Sequence, residues 1–231
     1  MADGAGQDRG VNVLTILRSV EELLYEVISW LLFYPLTLWR TLTRPLAMMR
    51  YSDQEQRDKP EKQYLEILSP PLFLVLSVVV AHGVELAVGV GVSGLRSPVG
   101  ASIAANDQTL LAFRAVLFST HAVAFAWVSL LLAGRKVDRE TLRAPFFAQC
   151  CLSGTTTILV SLGGIAVAYP DETATLIGVA VIVAATIWYL IVQRTWLMRV
   201  AGVGGISAGL TAVATFAGST AVVMTVGALL S

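Results

Sequence analysis

Residues 71–92 read PLFLVLSVVVAHGVELAVGVGV, an apolar run whose only ionisable members are His82 and Glu85. At about 1.5 Å of rise per residue, a helix of this length extends about 33 Å, enough for the ~30 Å hydrocarbon core of a bilayer. Four more such runs follow, at 109–133, 146–168, 174–193 and 203–229. Arg114 and His121 lie in the second; the last three carry no charge. A hydrocarbon core offers backbone groups no water, so helices, which satisfy them internally, are suited to cross it. The fold class read here is all-α, an integral membrane bundle of five transmembrane helices in contact with the lipid bilayer.

Composition agrees. Of 231 residues, 55% are hydrophobic and 14% charged, and the mean hydropathy is +0.71. Soluble domains sit nearer ~25% charged. The net charge is zero, so no global field argues for a nucleic-acid partner. Eight of the 16 basic and ten of the 16 acidic residues precede position 71. This divides the chain into a disordered N-terminus (1–10), a cytoplasmic amphipathic helix with a charged connector (11–70), and the five-helix domain (71–231). Residues 1–10 do not resemble a secretory leader. Cys150 and Cys151 are adjacent inside an apolar run, a place for small apolar side chains, and no Cys/His spacing suits a metal. No cofactor is expected.

Within 11–33, Thr15, Arg18, Ser19, Glu22, Glu26 and Ser29 recur every three or four positions. Val13, Leu17, Val20, Leu24, Val27 and Leu31 cover the other side, as expected of a helix lying in a membrane interface or against partner helices. Trp30, Tyr34 and Trp39 suit the headgroup region. A sixth crossing at 23–39 is the alternative, opposed by its short length and by Pro35. In the connector, Arg40, Arg44 and Arg50 are candidates for lipid headgroup contact.

Basic residues alternate along the chain. The connector is rich in them, 93–108 has only Arg96, and 134–145 has Arg135, Lys136, Arg139 and Arg143. The turn at 169–173 has none, the next loop has Arg194 and Arg199, and the C-terminus has none. The positive-inside rule then puts the N-terminus in the cytoplasm and the C-terminus outside. In the last run, Gly205, Gly209 and Gly218 stand among Ala, Ser and Thr, a pattern that lets helix backbones approach closely. The expected use is helix packing within the chain, with homo-oligomer formation as the alternative.

Depth follows from helix rise. Measured from the outer ends near Val92 and Thr109, Glu85 lies ~10 Å and Arg114 ~8 Å deep. His82 and His121 lie ~15 and ~18 Å deep. The four therefore form a candidate intramembrane polar cluster, with Glu85 meeting Arg114 and His82 level with His121. Ionised groups at such depth are costly and are usually paired or face a wet path. Either the cluster is a proton or ion relay in a channel or transporter, or it is a structural pair that sets helix register. No acidic chain runs on toward the cytoplasmic side, which favours the structural role. Beside His121 lie Ser119 and Thr120, and beyond it Ser129 and the Ser153–Thr157 patch. No nucleotide-binding glycine loop, HExxH or GxSxG is present, so a non-enzymatic protein is expected.

Phe33-Tyr34-Pro35-Leu36 running to Arg44, and Ser69-Pro70-Pro71-Leu72-Phe73 after it, open a recognisable order of features. Leu132-Ala133-Gly134-Arg135 followed by Thr141-Leu142-Arg143-Ala144, then Ile187-Trp188 to Arg199, continue it. This order, covering residues 33–231, resembles the Yip1-like family of small five-pass membrane proteins, whose bacterial branch is often labelled permease. The resemblance implies five crossings, an inside N-terminus and a bacterial inner membrane. The DLYGP-type motif of the eukaryotic branch is missing, so that branch's Rab-linked trafficking role does not carry over. His82, Glu85, Arg114 and His121 match no motif of the family. The function expected is a non-enzymatic component organising membrane partners or lipids; a channel or transporter is the alternative.

Overall fold

The computed structural model describes residues 5–59, 62–90 and 97–230, with side chains from Thr15 onward. Residues 1–4, residues 91 and 92 of the first apolar run, and Arg96 lie outside this set. The described residues form helices α1 (Ala5–Thr43), α2 (Pro45–Glu55), α3 (Pro70–Val88), α4 (Pro98–Ala104), α5 (Asp107–Leu132), α6 (Arg139–Ala168), α7 (Glu172–Ala201) and α8 (Gly205–Leu230). No strand occurs among them. Five of these helices, α3 and α5 to α8, are long and apolar enough to cross a membrane.

Local chemistry sets the ends. α3 stops at Val88 because Gly89 adopts the left-handed conformation (φ 74), and the Val90 N–H turns back to the Glu85 carbonyl at 3.1 Å. α6 begins seven residues before its apolar run. Asp138 caps it, accepting from the Glu140 and Thr141 N–H groups at 3.1 and 2.9 Å, while the Thr141 hydroxyl accepts from the Asp138 N–H at 3.0 Å. α7 runs on past 193 to Ala201 and ends at left-handed Gly202. α1 begins at Ala5, so the helix takes in 5–10 of the tail read as disordered.

α6 is the central helix: 56% of its most apolar stretch is buried, against 6% for α8. It packs on α3, α5, α7 and α2, while α8 stands at the edge against α7 and α5. Glycines permit the closest approaches. A methyl at Gly178 of α7 would run into the Gly163 carbonyl of α6, and one at Gly154 would meet the Phe73 ring of α3 at 2.7 Å. The charged connector is docked rather than free. Met48, Met49 and Ser52 of α2 are buried, and Met49 joins a core with Phe125, Leu152 and Tyr189. Tyr64 follows: its hydroxyl accepts from Gln56 Nε2 at 2.8 Å and its ring stacks on Phe147 at 6.3 Å.

The last turns of α1 are tied down. Tyr34 lies 5.4 Å from the Phe73 ring and donates to Ser77 Oγ at 3.2 Å, and the Leu68 N–H donates to buried Thr37 Oγ1 at 3.2 Å. Earlier turns are not: Ile16, Leu17, Val20, Leu23, Leu24, Val27, Ile28, Leu31 and Leu32 are all exposed.

Candidate intramembrane polar site

Glu85 and Arg114 meet. Arg114 Nη1 donates to Glu85 Oε2 at 2.6 Å, and the two side chains are 19% and 17% exposed. His82, three residues before Glu85 and so on the same helix face, sets its Nδ1 3.4 Å from the same carboxylate oxygen. Its buried Nε2 makes no hydrogen bond and lies 3.7 Å from Asp107 Oδ1 in the first turn of α5. The cluster thus holds two carboxylates, one guanidinium and one imidazole. Asp107 was not singled out in the sequence because it precedes the apolar run. Its signal was there, since Asp107 and Arg114 are seven residues apart, two turns on one face.

His121 does not join them. Its Nε2 lies 3.2 Å from Thr220 Oγ1 of α8, and its ring sits 5.5 Å from that of Phe216. The depth argument put His82 level with His121, but His82 reaches Asp107, fourteen residues or about 21 Å of helix from His121. The face His121 occupies is covered by α8, a neighbour that spacing within α3 and α5 cannot reveal. His121 instead lines a cavity of about 290 Å³ between α5, α6, α7 and α8, opposite Ser153, Thr157 and Tyr189.

One turn from Ser153 and Tyr189, nearer the connector, Gln149 of α6 and Gln193 of α7 form a reciprocal amide pair. Gln149 Nε2 donates to Gln193 Oε1 at 3.1 Å, and Gln193 Nε2 donates to Gln149 Oε1 at 2.6 Å. Both are 0% exposed. Sequence reasoning passed over them, although each is an amide inside an otherwise apolar run. The Tyr189 hydroxyl faces Gln193 and Ser153, but no geometry there closes a hydrogen bond.

Of the α8 glycines, Gly205 and Gly209 face α7 and Gly218 does not. Gly205 and Gly209 make room for the Arg194 side chain, whose Nε donates to the Gly205 carbonyl at 3.0 Å. Gly218 faces open space. The buried contacts of α8 come instead from Ala208 and Ala212. Of the connector bases, Arg40 lies 3.8 Å from Glu66 Oε2, while Arg44 and Arg50 are exposed. Among the described residues no group of three His, Cys, Asp or Glu is placed to hold a metal ion.

Five apolar spans around a buried polar interior define a multi-pass integral membrane protein in contact with the bilayer. No protein-family model matches the chain, and no curated protein or solved structure matches it either.

Proposed function

We propose that this chain is a non-enzymatic, Yip1-like component of the bacterial inner membrane that organises lipids or membrane partners through its N-terminal helix. The observation that carries the reading is α1. Nine large apolar side chains between Ile16 and Leu32 lie exposed, while only the last turns of α1 touch the bundle. An apolar face of this size marks an interaction surface. Covering even half of it is worth on the order of 10 kcal/mol at ~1.5–3 kcal/mol per fully buried large side chain. The polar face carries Arg18 against Glu22 and Glu26, and with Glu21 at the border of the apolar face the net charge over 15–29 is −2. Acidic lipid therefore does not draw the helix in by charge; hydrophobic burial holds it, and exposed Arg44 and Arg50 meet headgroups from the connector. With the N-terminus cytoplasmic, that surface is the inner leaflet. The 2.6 Å Glu85–Arg114 contact supports a structural role for the pair, as a clamp between α3 and α5.

Reporter cysteines test this in proteoliposomes, since Cys150 and Cys151 are buried. An environment-sensitive dye at Leu24→Cys should report an apolar setting and one at Glu22→Cys a wet one. Quenching by lipid-attached nitroxide separates bilayer from protein partner. If both dyes report water, α1 is free and the proposal fails. The channel alternative predicts ion flux above empty liposomes that both Glu85→Gln and Arg114→Gln abolish. We expect none.

A further inference from the structure

Four hydroxyls on α6 and α7 break a habit that their neighbours keep. Span hydroxyls ordinarily donate to the carbonyl one turn back: Ser77 to Phe73 at 2.8 Å, Thr155 to Cys151 at 3.2 Å, Thr186 to Ile182 at 2.9 Å and Ser219 to Thr215 at 2.9 Å. Ser153, Thr156, Thr157 and Tyr189 instead bury hydroxyl oxygens that have no hydrogen-bond partner. All four line the cavity of about 290 Å³ that His121 faces. Ser153, Thr157 and Tyr189 are 4%, 1% and 1% exposed. Buried polar atoms are nearly always satisfied, so a concentration of unmet ones on one wall points to a partner that the chain does not itself supply.

The chemistry of the walls narrows that partner. The cavity lining includes no Asp, Glu, Lys or Arg, and a buried charge without a counter-charge is strongly disfavoured. The ligand is therefore uncharged. Water fits poorly: a volume of 290 Å³ takes roughly ten molecules at ~30 Å³ each, every one needing two to four bonds. The lining offers six hydroxyls and one imidazole, some already bonded, against the faces of Phe118 and Phe216 and four aliphatic or thioether side chains. A mostly apolar wall with a few placed polar groups suits a small organic ligand.

The way in is lateral. Met224 lines the cavity and is 67% exposed, so it stands at the mouth. It lies inside α8, six residues from Leu230, about 9 Å along the helix, so the mouth opens toward lipid chains. The buried residues that join α7 to α8, from Tyr189 to Leu197 and at Ala208 and Ala212, lie toward the connector end of this helix pair. Nothing comparable closes it at Ile182 and Met224. We infer that this cavity binds an uncharged, lipid-soluble molecule bearing carbonyl or hydroxyl oxygens, admitted from the bilayer between α7 and α8. Its oxygens take the hydroxyls of Thr157 and Tyr189, and its body lies against the phenylalanine rings. This site is independent of the α1 surface, and either stands without the other.

The test uses the full chain in nanodiscs, with empty nanodiscs subtracted, and two probes: a decyl-substituted benzoquinone and decylbenzene, which has the same tail and no oxygen. Calorimetric titration should show saturable binding of the quinone at least about tenfold tighter than that of decylbenzene, the worth of one or two hydrogen bonds. Tyr189→Phe and Thr157→Val, both near-isosteric, should erase that preference. Without probe, both variants should melt at or above the wild-type temperature, because each removes an unmet hydroxyl. Equal affinity for the two probes, no saturable binding, or a preference that survives both substitutions would overturn the inference.

Discussion

Replacing Gln149 with leucine should harm this protein more than replacing Gln149 and Gln193 together. The two amides exchange hydrogen bonds of 3.1 and 2.6 Å between α6 and α7, both at 0% exposure. Interhelical bonds in membranes average about 0.6 kcal/mol and reach about 1.7, so the pair itself contributes roughly 1–3 kcal/mol. Gln149→Leu removes both bonds and also strands the Gln193 amide among apolar side chains, a desolvation cost of about 1–3 kcal/mol. Some of this is recovered through leucine's own packing, which leaves a net loss of about 2–3 kcal/mol for either single substitution. In the double variant no polar group is left unmet and two leucines of similar volume fill the gap, so the loss should be about 1 kcal/mol or less. The assay is reversible SDS unfolding in mixed micelles, followed by tryptophan fluorescence; Trp196, 6% exposed in the same core, is a suitable reporter. A double variant whose loss equals the sum of the singles would refute the reasoning, because the amides would then be acting independently.

The same titration ranks the glycines. Gly178→Ala drives a methyl into the Gly163 carbonyl and should cost about 1–3 kcal/mol by overpacking, whereas Gly218→Ala meets nothing and should be neutral or gain about 0.5–1 kcal/mol; the reverse order would contradict the α6–α7 contact. Asp138 supplies a pH dependence. The backbone N–H of Thr141, foremost among its partners, holds this carboxyl below its ordinary 3.8. A depressed carboxyl stabilises the fold fully above the unfolded value and loses that contribution as pH falls through the folded one. The melting-temperature gap between wild type and Asp138→Ala should therefore be widest near neutrality and narrow as pH falls below about 4; a gap that does not narrow at all on acidification would show that the carboxylate charge is not what caps α6.

The spans, and the level at which α3 meets α5 through Glu85 and Arg114, were legible in the sequence. Chain polarity marked five spans, and a fixed rise per residue put Glu85 level with Arg114, where an ion pair of 2.6 Å forms. Helix ends were not read from the sequence: the first run was drawn through Gly89, and the caps at Asp138 and Gly202 were passed over, although the signals for a helix end are local. What lies around each helix was not legible. His121 was paired by depth with His82, but His82 reaches Asp107 and His121 turns to Thr220, and Met49, set in a charged segment, fills the core from α2. The Ser153–Thr157 patch was visible as polar residues, yet the cavity it shares with His121 exists only because four helices surround it. The physical reason is one of range. Rise and hydropathy act within a segment and are written in it, while rotation about the helix axis and choice of neighbour come from side chains far apart in the chain acting in combination, settled here by α6 taking the centre and leaving α8 at the edge.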